Sequence, residues 1–372
     1  MSARQPLPNW VTIVLMPVLN VLLAFVIGGL AVAIIGENPL DAMWALFYGA
    51  FGTGMGWGFT LHYATNFIFT GLAVAIAFKA GMFNIGGEGQ AYVAGLGAIM
   101  VALWLDQTHW TLVLLGSTLA AMMMGSLWAI IPAWLQAKRG SHIVITTIMF
   151  NFIASAFMSY MLAQVITAPG ANAETRTINE QGRLPLMSDW FDAFQYSPLN
   201  ITFFFGIAAL IFTYVLIWRT KLGYKIRTLG ANKEAARYAG ISAVSVIIIA
   251  MAISGALAGL MAVNEAVGVQ KRLVVGYVHG FGFVGIAVAF MGRSHPVGIA
   301  LAALLFGALY QGGQELAFEL PAVPSDLVVV IQALVILFTG AMGDMFRPLL
   351  ERIFARRVKP SPEAPTTADT EA

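Results

Sequence analysis

The sequence predicts an all-α polytopic membrane protein with about ten transmembrane helices and a broken, glycine-rich segment. Three observations carry that expectation. Of 372 residues, 59% are hydrophobic and only 10% charged, against about 25% charged in soluble domains. The apolar residues fall into runs close to the ~20 needed to cross a bilayer as a helix. The basic residues gather between alternate runs. Length alone would suggest two or three soluble domains, and a mean hydropathy of +0.80 overrides that. The absence of cysteine excludes a disulfide scaffold, a thiolate metal site and a catalytic cysteine. A net charge of +2 gives no reason to expect nucleic acid.

Along the chain the candidate spans are 11–35, 61–79, 85–105, 111–135, 143–166, 199–218, 244–264, 278–292, 296–313 and 326–343. The first is longer than the ~7–15-residue core of a signal peptide and is read as uncleaved. Residues 43–60 are apolar but interrupted by glycine, and read as an interfacial or half-inserted helix, with an eleventh span as the alternative. The segment 278–292 is short. A transmembrane domain over 1–357 is expected to end in a disordered cytoplasmic tail, 358–372, which carries Pro, Thr, Ala and acids without periodicity.

Lys and Arg stay cytoplasmic. With the N-terminus inside, 16 of the 20 fall on the inner side: Arg4, Lys79, Lys138, Arg139, the set from Arg219 to Arg237, Arg293, and the tail from Arg347 to Lys359. Only Arg176, Arg183, Lys271 and Arg272 fall outside, so both termini are expected to be cytoplasmic. Five spans on each side of the long external loop would give halves of opposite orientation, an inverted repeat. That loop, Thr167 to Pro198, holds Asn172, Glu174, Glu180, Asp189 and Asp192 with Trp190, Phe191, Phe194 and Tyr196. An aromatic interfacial belt is the plain reading, and a docking ledge for an external partner is the sharper one.

Three stretches depart from a plain apolar bundle. Gly81-Met82-Phe83-Asn84-Ile85-Gly86-Gly87-Glu88-Gly89-Gln90 sets a carboxylate and two amides at the mouth of a span. Such groups persist at membrane depth only where protein or a wet cavity satisfies them, as in the broken helices of transporters. A phosphate loop is excluded, since no Lys-Ser/Thr follows. Glu88 either pins two helices by hydrogen bonds or contacts substrate or gates the path.

The second stretch, Arg219 to Ser242, is the longest and most basic inner loop. Asn232 suits an N-cap, Lys233 to Ala239 favour helix, and Gly240 suits the residue after it. A short helix across the cytoplasmic face follows, either anchored on anionic membrane lipid or presenting Ala235, Ala236 and Ala239 to a protein groove. In the third, Gly276 to Ala289, closely spaced glycines suit tight helix packing, and His279 reads as a packing residue. His62, His142 and His295 lie near span ends and read as interfacial. Neither a metal spacing nor a Ser–His–Asp arrangement is seen, so no enzyme is expected. The chain carries no nucleotide-binding loop, so any ATP energy must enter through another protein.

Phe83 to Gln90 resembles a signature of inner-membrane permease subunits of ABC importers. The branch is the simple-sugar and nucleoside group, in the family that also holds branched-chain amino-acid permeases. Glu234-Ala235-Ala236-Arg237-Tyr238-Ala239-Gly240 resembles the EAA-xxx-G core of the loop that such permeases seat in their ATPases, although no Leu-Pro follows at the expected distance. Gly282 to Ala289 resembles the family's second-half segment. The similarity runs from about Leu61 to Gly343.

The resemblance implies a partner set: an ABC ATPase carrying MgATP, a second permease subunit, and a periplasmic or lipid-anchored substrate-binding protein. No cofactor is implied on this chain itself. The bacterial inner membrane is the implied location. The Asn-Ile-Gly-Gly-Glu-Gly-Gln variant goes with nucleoside systems, whereas ribose-type permeases more often show Asp-Leu-Ser-Val-Gly, so nucleosides are expected, with a simple sugar such as ribose or galactose as the alternative. ATPase coupling would fall to Asn232, Lys233, Glu234, Ala235, Ala236 and Gly240, and Asn84, Glu88 and Gln90 would line, gate or brace the path. A secondary transporter using Glu88 as its ion group is the rival from another class.

Overall fold

A computed structural model describes residues 7–8, 10–11, 15–170, 173–323, 325–338 and 345–354. The expected tail over 358–372 and Asn172 lie outside them. In chain order the helices are α1 Met16–Ile35, α2 Pro39–Phe51, α3 Gly54–Lys79, α4 Gly87–Leu105, α5 Trp110–Arg139, α6 Ile143–Tyr160 and α7 Thr202–Arg219. They continue as α8 Lys221–Ala231, α9 Lys233–Tyr238, α10 Ala243–Ala262, α11 Phe281–Met291, α12 Pro296–Glu319, α13 Ser325–Ile336 and α14 Arg347–Phe354. Wider π-turns extend α6 to Val165 and α10 to Val269.

Among the described residues, eight helices are long and apolar enough to cross a membrane. Of the ten expected spans, 278–292 falls short, and 326–343 lies partly outside the described residues, with α13 covering its first part. At 1.5 Å per residue, α11 with 11 residues reaches about 17 Å, against a hydrocarbon core of about 30 Å. The first turn of the 278–292 span is replaced by irregular chain, in which Gly280 takes φ +78°. The segment 43–60 is not one element either. It breaks at Gly52-Thr53, because the Thr53 side chain accepts the Gly56 N–H and starts a new helix. The half before the break, α2, has 13 residues, about 20 Å, which removes the eleventh span.

The outer helices show which solvent they meet. On α5, Leu112, Leu115, Leu119, Met123, Leu127 and Ile131 are all exposed. A continuous apolar stripe of that extent suits lipid and not water. On α1 only Met16, Asn20, Ala24, Gly28 and Val32 are buried, the narrow four-residue seam that a helix at the edge of a bundle needs. In contrast α3 and α10 are buried nearly all round and form the centre.

The central pair runs antiparallel: Asn66 in the middle of α3 meets Glu265 beyond the end of α10, and Ser254 of α10 donates to Ala73 O at 2.6 Å, further along α3. Helix α3 packs on α10, α11 and α12, while α10 packs on α3, α4 and α5. Exchanging α3, α4 and α5 for α10, α11 and α12 maps that set of contacts onto itself. Around the antiparallel central pair, these six helices are therefore packed in an inverted arrangement.

Candidate functional site

The broken segment before α4 holds together by satisfying its own polar groups. Asn84 Nδ2 donates to Gln90 Oε1 (3.0 Å) and Gln90 Nε2 donates back to Asn84 Oδ1 (3.1 Å). Asn84 Oδ1 also accepts the Gly86 N–H, and Asn84 Nδ2 reaches Ser254 Oγ at 2.9 Å. Asn151 of α6 completes the set by accepting the Gly89 N–H and donating to Ile85 O. Asn84 and Gln90 are buried, so their amides face protein.

Glu88 reaches across instead of back. Its Oε1 accepts the Gly280 N–H at 2.9 Å and its Oε2 the Gly282 N–H at 2.7 Å. These are free donors at the start of α11, where a negative charge also meets the positive end of the helix dipole. The starts of α4 and α11 come so close that a Cβ on Gly282 would lie 2.3 Å from the Glu88 backbone nitrogen. Only glycine fits there. The geometry thus has Glu88 pinning two half-helices end to end.

A second polar centre lies between the middle of α3 and the end of α10. The donors run in one direction. Asn200 Nδ2 and Thr202 Oγ1 donate to Asn264 Oδ1 (2.9 and 2.7 Å), which leaves the Asn264 amide to donate to Asn66 Oδ1 at 2.8 Å. Asn66 Nδ2 then donates to Glu265 Oε1 at 2.6 Å. Asn264 Nδ2 also faces His62 Nδ1 at 3.4 Å. The Glu265 carboxylate accepts, so His62 Nε2 carries a proton and donates to the same Oε1 at 2.9 Å. Glu265 sits on the π-turn after α10, a device that re-aims side chains and recurs at functional sites. It forms one wall of a cavity of about 900 Å³ whose other walls include Phe59, Tyr63, His279, Phe281 and Tyr310.

This centre is absent from the expectations drawn from sequence. The span 244–264 stops one residue before Glu265, as though that charge marked the water, whereas Glu265 is 4% exposed. His62, expected at the interface, is buried and bonded. His279, expected to pack inside, is exposed on the cavity wall with φ +48°. The usable signal was polar residues at related places in the two central runs, Asn66 in one and Asn264-Glu265 at the edge of the other.

The basic loop is two helices. Thr220 caps α8 by accepting the Gly223 N–H, and Asn232 caps α9 by accepting from Glu234 and Ala235. Helix α8 was not foreseen. Ile226 and Leu229 bury its inner face, and Gly230 sits so close to the end of α3 that a Cβ there would lie 2.2 Å from Lys79 O. On α9, Lys233, Glu234 and Ala235 are exposed, as are Asn232 and Gly240 beside it, but Ala236 is buried and offers no surface to a partner. The expected apolar patch is therefore smaller, Ala235 and Ala239 beside an exposed Tyr238.

The long loop on the cavity face is clamped at two points. Arg176 donates to the buried Asp106 and to Leu103 O, and Arg272 to Glu174 at 2.9 Å. Burial raises the Asp106 carboxyl, but the Arg176 guanidinium and the Asn179 N–H outweigh it and hold the group below its usual range.

With this geometry the comparisons agree. The family model for the permease component of the branched-chain amino acid transport system matches residues 56–340. A glucose ABC transporter permease of Haloferax volcanii is 34% identical over 99% of this chain and 98% of its own. A guanosine ABC transporter permease of Bacillus subtilis is 35% identical over 88% of this chain and 93% of its own, and a nucleoside ABC transporter permease of Lactococcus lactis 33% identical over 87% and 90%. The chain belongs to this multi-pass family of ABC transporter permease components.

Proposed function

We propose that the chain is the permease subunit of an ATP-driven nucleoside importer in a bacterial inner membrane, with both termini cytoplasmic. The observation that carries the substrate class is the pair of relatives named for guanosine and nucleoside transport, each matched over most of both chains. The motif from Asn84 to Gln90 and the aromatic-walled cavity support it. A sugar is the second reading, favoured by the relative named for glucose transport that matches nearly the whole chain.

An ABC ATPase with MgATP would seat on α9 through Asn232, Lys233, Glu234 and Ala235, with Gly240 allowing the turn out and Ala236 anchoring the helix from within. Its closure would reach the path through α8, whose Gly230 abuts the end of α3 just before the broken segment. Asn84 and Gln90 would brace that segment, and Glu88 would hold the junction to α11 that must part or tilt as the path opens. A second permease subunit and a substrate-binding protein complete the set, the latter meeting the face that carries the clamped loop.

Reconstitution with the ATPase, the second permease and the binding protein tests this. ATP-dependent accumulation of guanosine, unaffected by a protonophore, is the expected result. Accumulation of glucose alone would replace the substrate class, and uptake abolished by the protonophore would replace the energy source.

A further inference from the structure

Glu265 spends only one of its two oxygens on the protein. His62 and Asn66 both donate to Oε1. Among the described residues nothing donates to Oε2, although the residue is 4% exposed and lines the 900 Å³ cavity. Oε2 is thus the one acceptor of this buried network turned to the open cavity, where a ligand's donor can replace water. The walls narrow the ligand's class. Tyr63, Phe281 and Tyr310 form one aromatic cluster, with ring centroids 5.5–6.0 Å apart, suited to a flat, partly apolar body.

We propose, resting on the nucleoside reading above, that this cavity receives the nucleobase and that Glu265 Oε2 accepts a hydrogen bond from a ring N–H of it. Bases that present such a donor, as guanine and hypoxanthine do at N1, are then favoured over adenine, whose N1 is an acceptor. The direction of the donor chain makes this specific. Because His62 and Asn66 both donate to position Oε1, the amide of Glu265→Gln must keep its oxygen there and turn its NH2 to the cavity. The variant therefore inverts the group offered to the base, with little change in shape.

The test is uptake of guanosine and adenosine by the complete transporter, wild type against Glu265→Gln, with one binding protein for both so that any change in preference arises in the permease. The adenosine-to-guanosine ratio is expected to rise by about tenfold or more, as befits exchange of one buried donor–acceptor match for a mismatch. An unchanged ratio with ATPase still co-purifying would overturn the proposal while leaving the nucleoside reading standing. If the wild type moves no nucleoside, the reading itself fails. Should the variant not assemble, the wild-type transporter in nanodiscs without binding protein is photolabelled with 8-azidoguanosine. Label on peptides holding Tyr63 or Tyr310, competed by guanosine and far less by 1-methylguanosine, supports the assignment. Equal competition, or label elsewhere, overturns it.

Discussion

Glu88 and Glu265 are both carboxylates in the apolar interior, and their surroundings separate them. Both oxygens of Glu88 are taken by backbone donors at the start of α11, the geometry of a brace. Glu88→Ala would leave two N–H groups unmet, at about 1.5–3 kcal/mol for each charge-assisted bond. Thermal unfolding of the purified complex should fall by several degrees, and by less in Glu88→Gln, which keeps an acceptor oxygen. Equal midpoints for all three proteins would remove the pinning role. Asp106 allows a pH argument outside the spans. Its folded carboxyl titrates below the unfolded value of about 3.9. The Arg176 clamp is therefore fully present above that value and is lost only as pH falls through the lower folded one. Protease resistance of the long loop should hold from pH 7 to about pH 5, whereas Asp106→Asn should open it throughout. Loss of protection in the wild type at pH 5 would contradict this. Glu88 was legible in sequence because it stands among glycines inside an apolar run. Glu265 was not, because a charge at the end of a run looks like a surface residue until a π-turn carries it back inside.

At the scale of elements, most of the α-helices were readable from apolar run length, and α9 from its caps. The two misjudged places share a cause. In α8 the glycines at 223 and 230 look like breaks, but they lie at points of backbone contact. In 278–292 a full span was expected, yet α11 starts late because its N-terminus is met by Glu88 from another helix. Both depend on partners distant in sequence. The exposed and buried faces of α9 make opposite forecasts for adjacent alanines. Ala235→Arg should leave the permease folded and abolish co-purification of the ATPase. Ala236→Arg places a charge at a position 0% exposed and should lower the yield of folded protein instead. If Ala235→Arg retained the ATPase, α9 would not be the seat.

For the whole molecule, the segregation of Lys and Arg foresaw which ends of the helices share a face. In the structure Lys79 stacks on Trp218 at 5.8 Å and lies beside α8, whereas Lys271 and Arg272 border the cavity at the other end of α3. The inverted packing of the six helices around the central pair was open in sequence and visible only in which helices touch. Because the chain has no cysteine, single substitutions report sidedness without background. An impermeant maleimide should label Glu180→Cys in intact spheroplasts and Ala239→Cys only after permeabilisation, and the reverse pattern would invert the topology. The most direct measurement is ATP-dependent [3H]guanosine uptake by proteoliposomes of the assembled transporter, with wild type beside Ala235→Arg. Accumulation by the wild type that needs ATP, survives a protonophore and vanishes in the variant is the expected result. Accumulation that persists without ATP, or in the variant, would contradict a permease driven through α9.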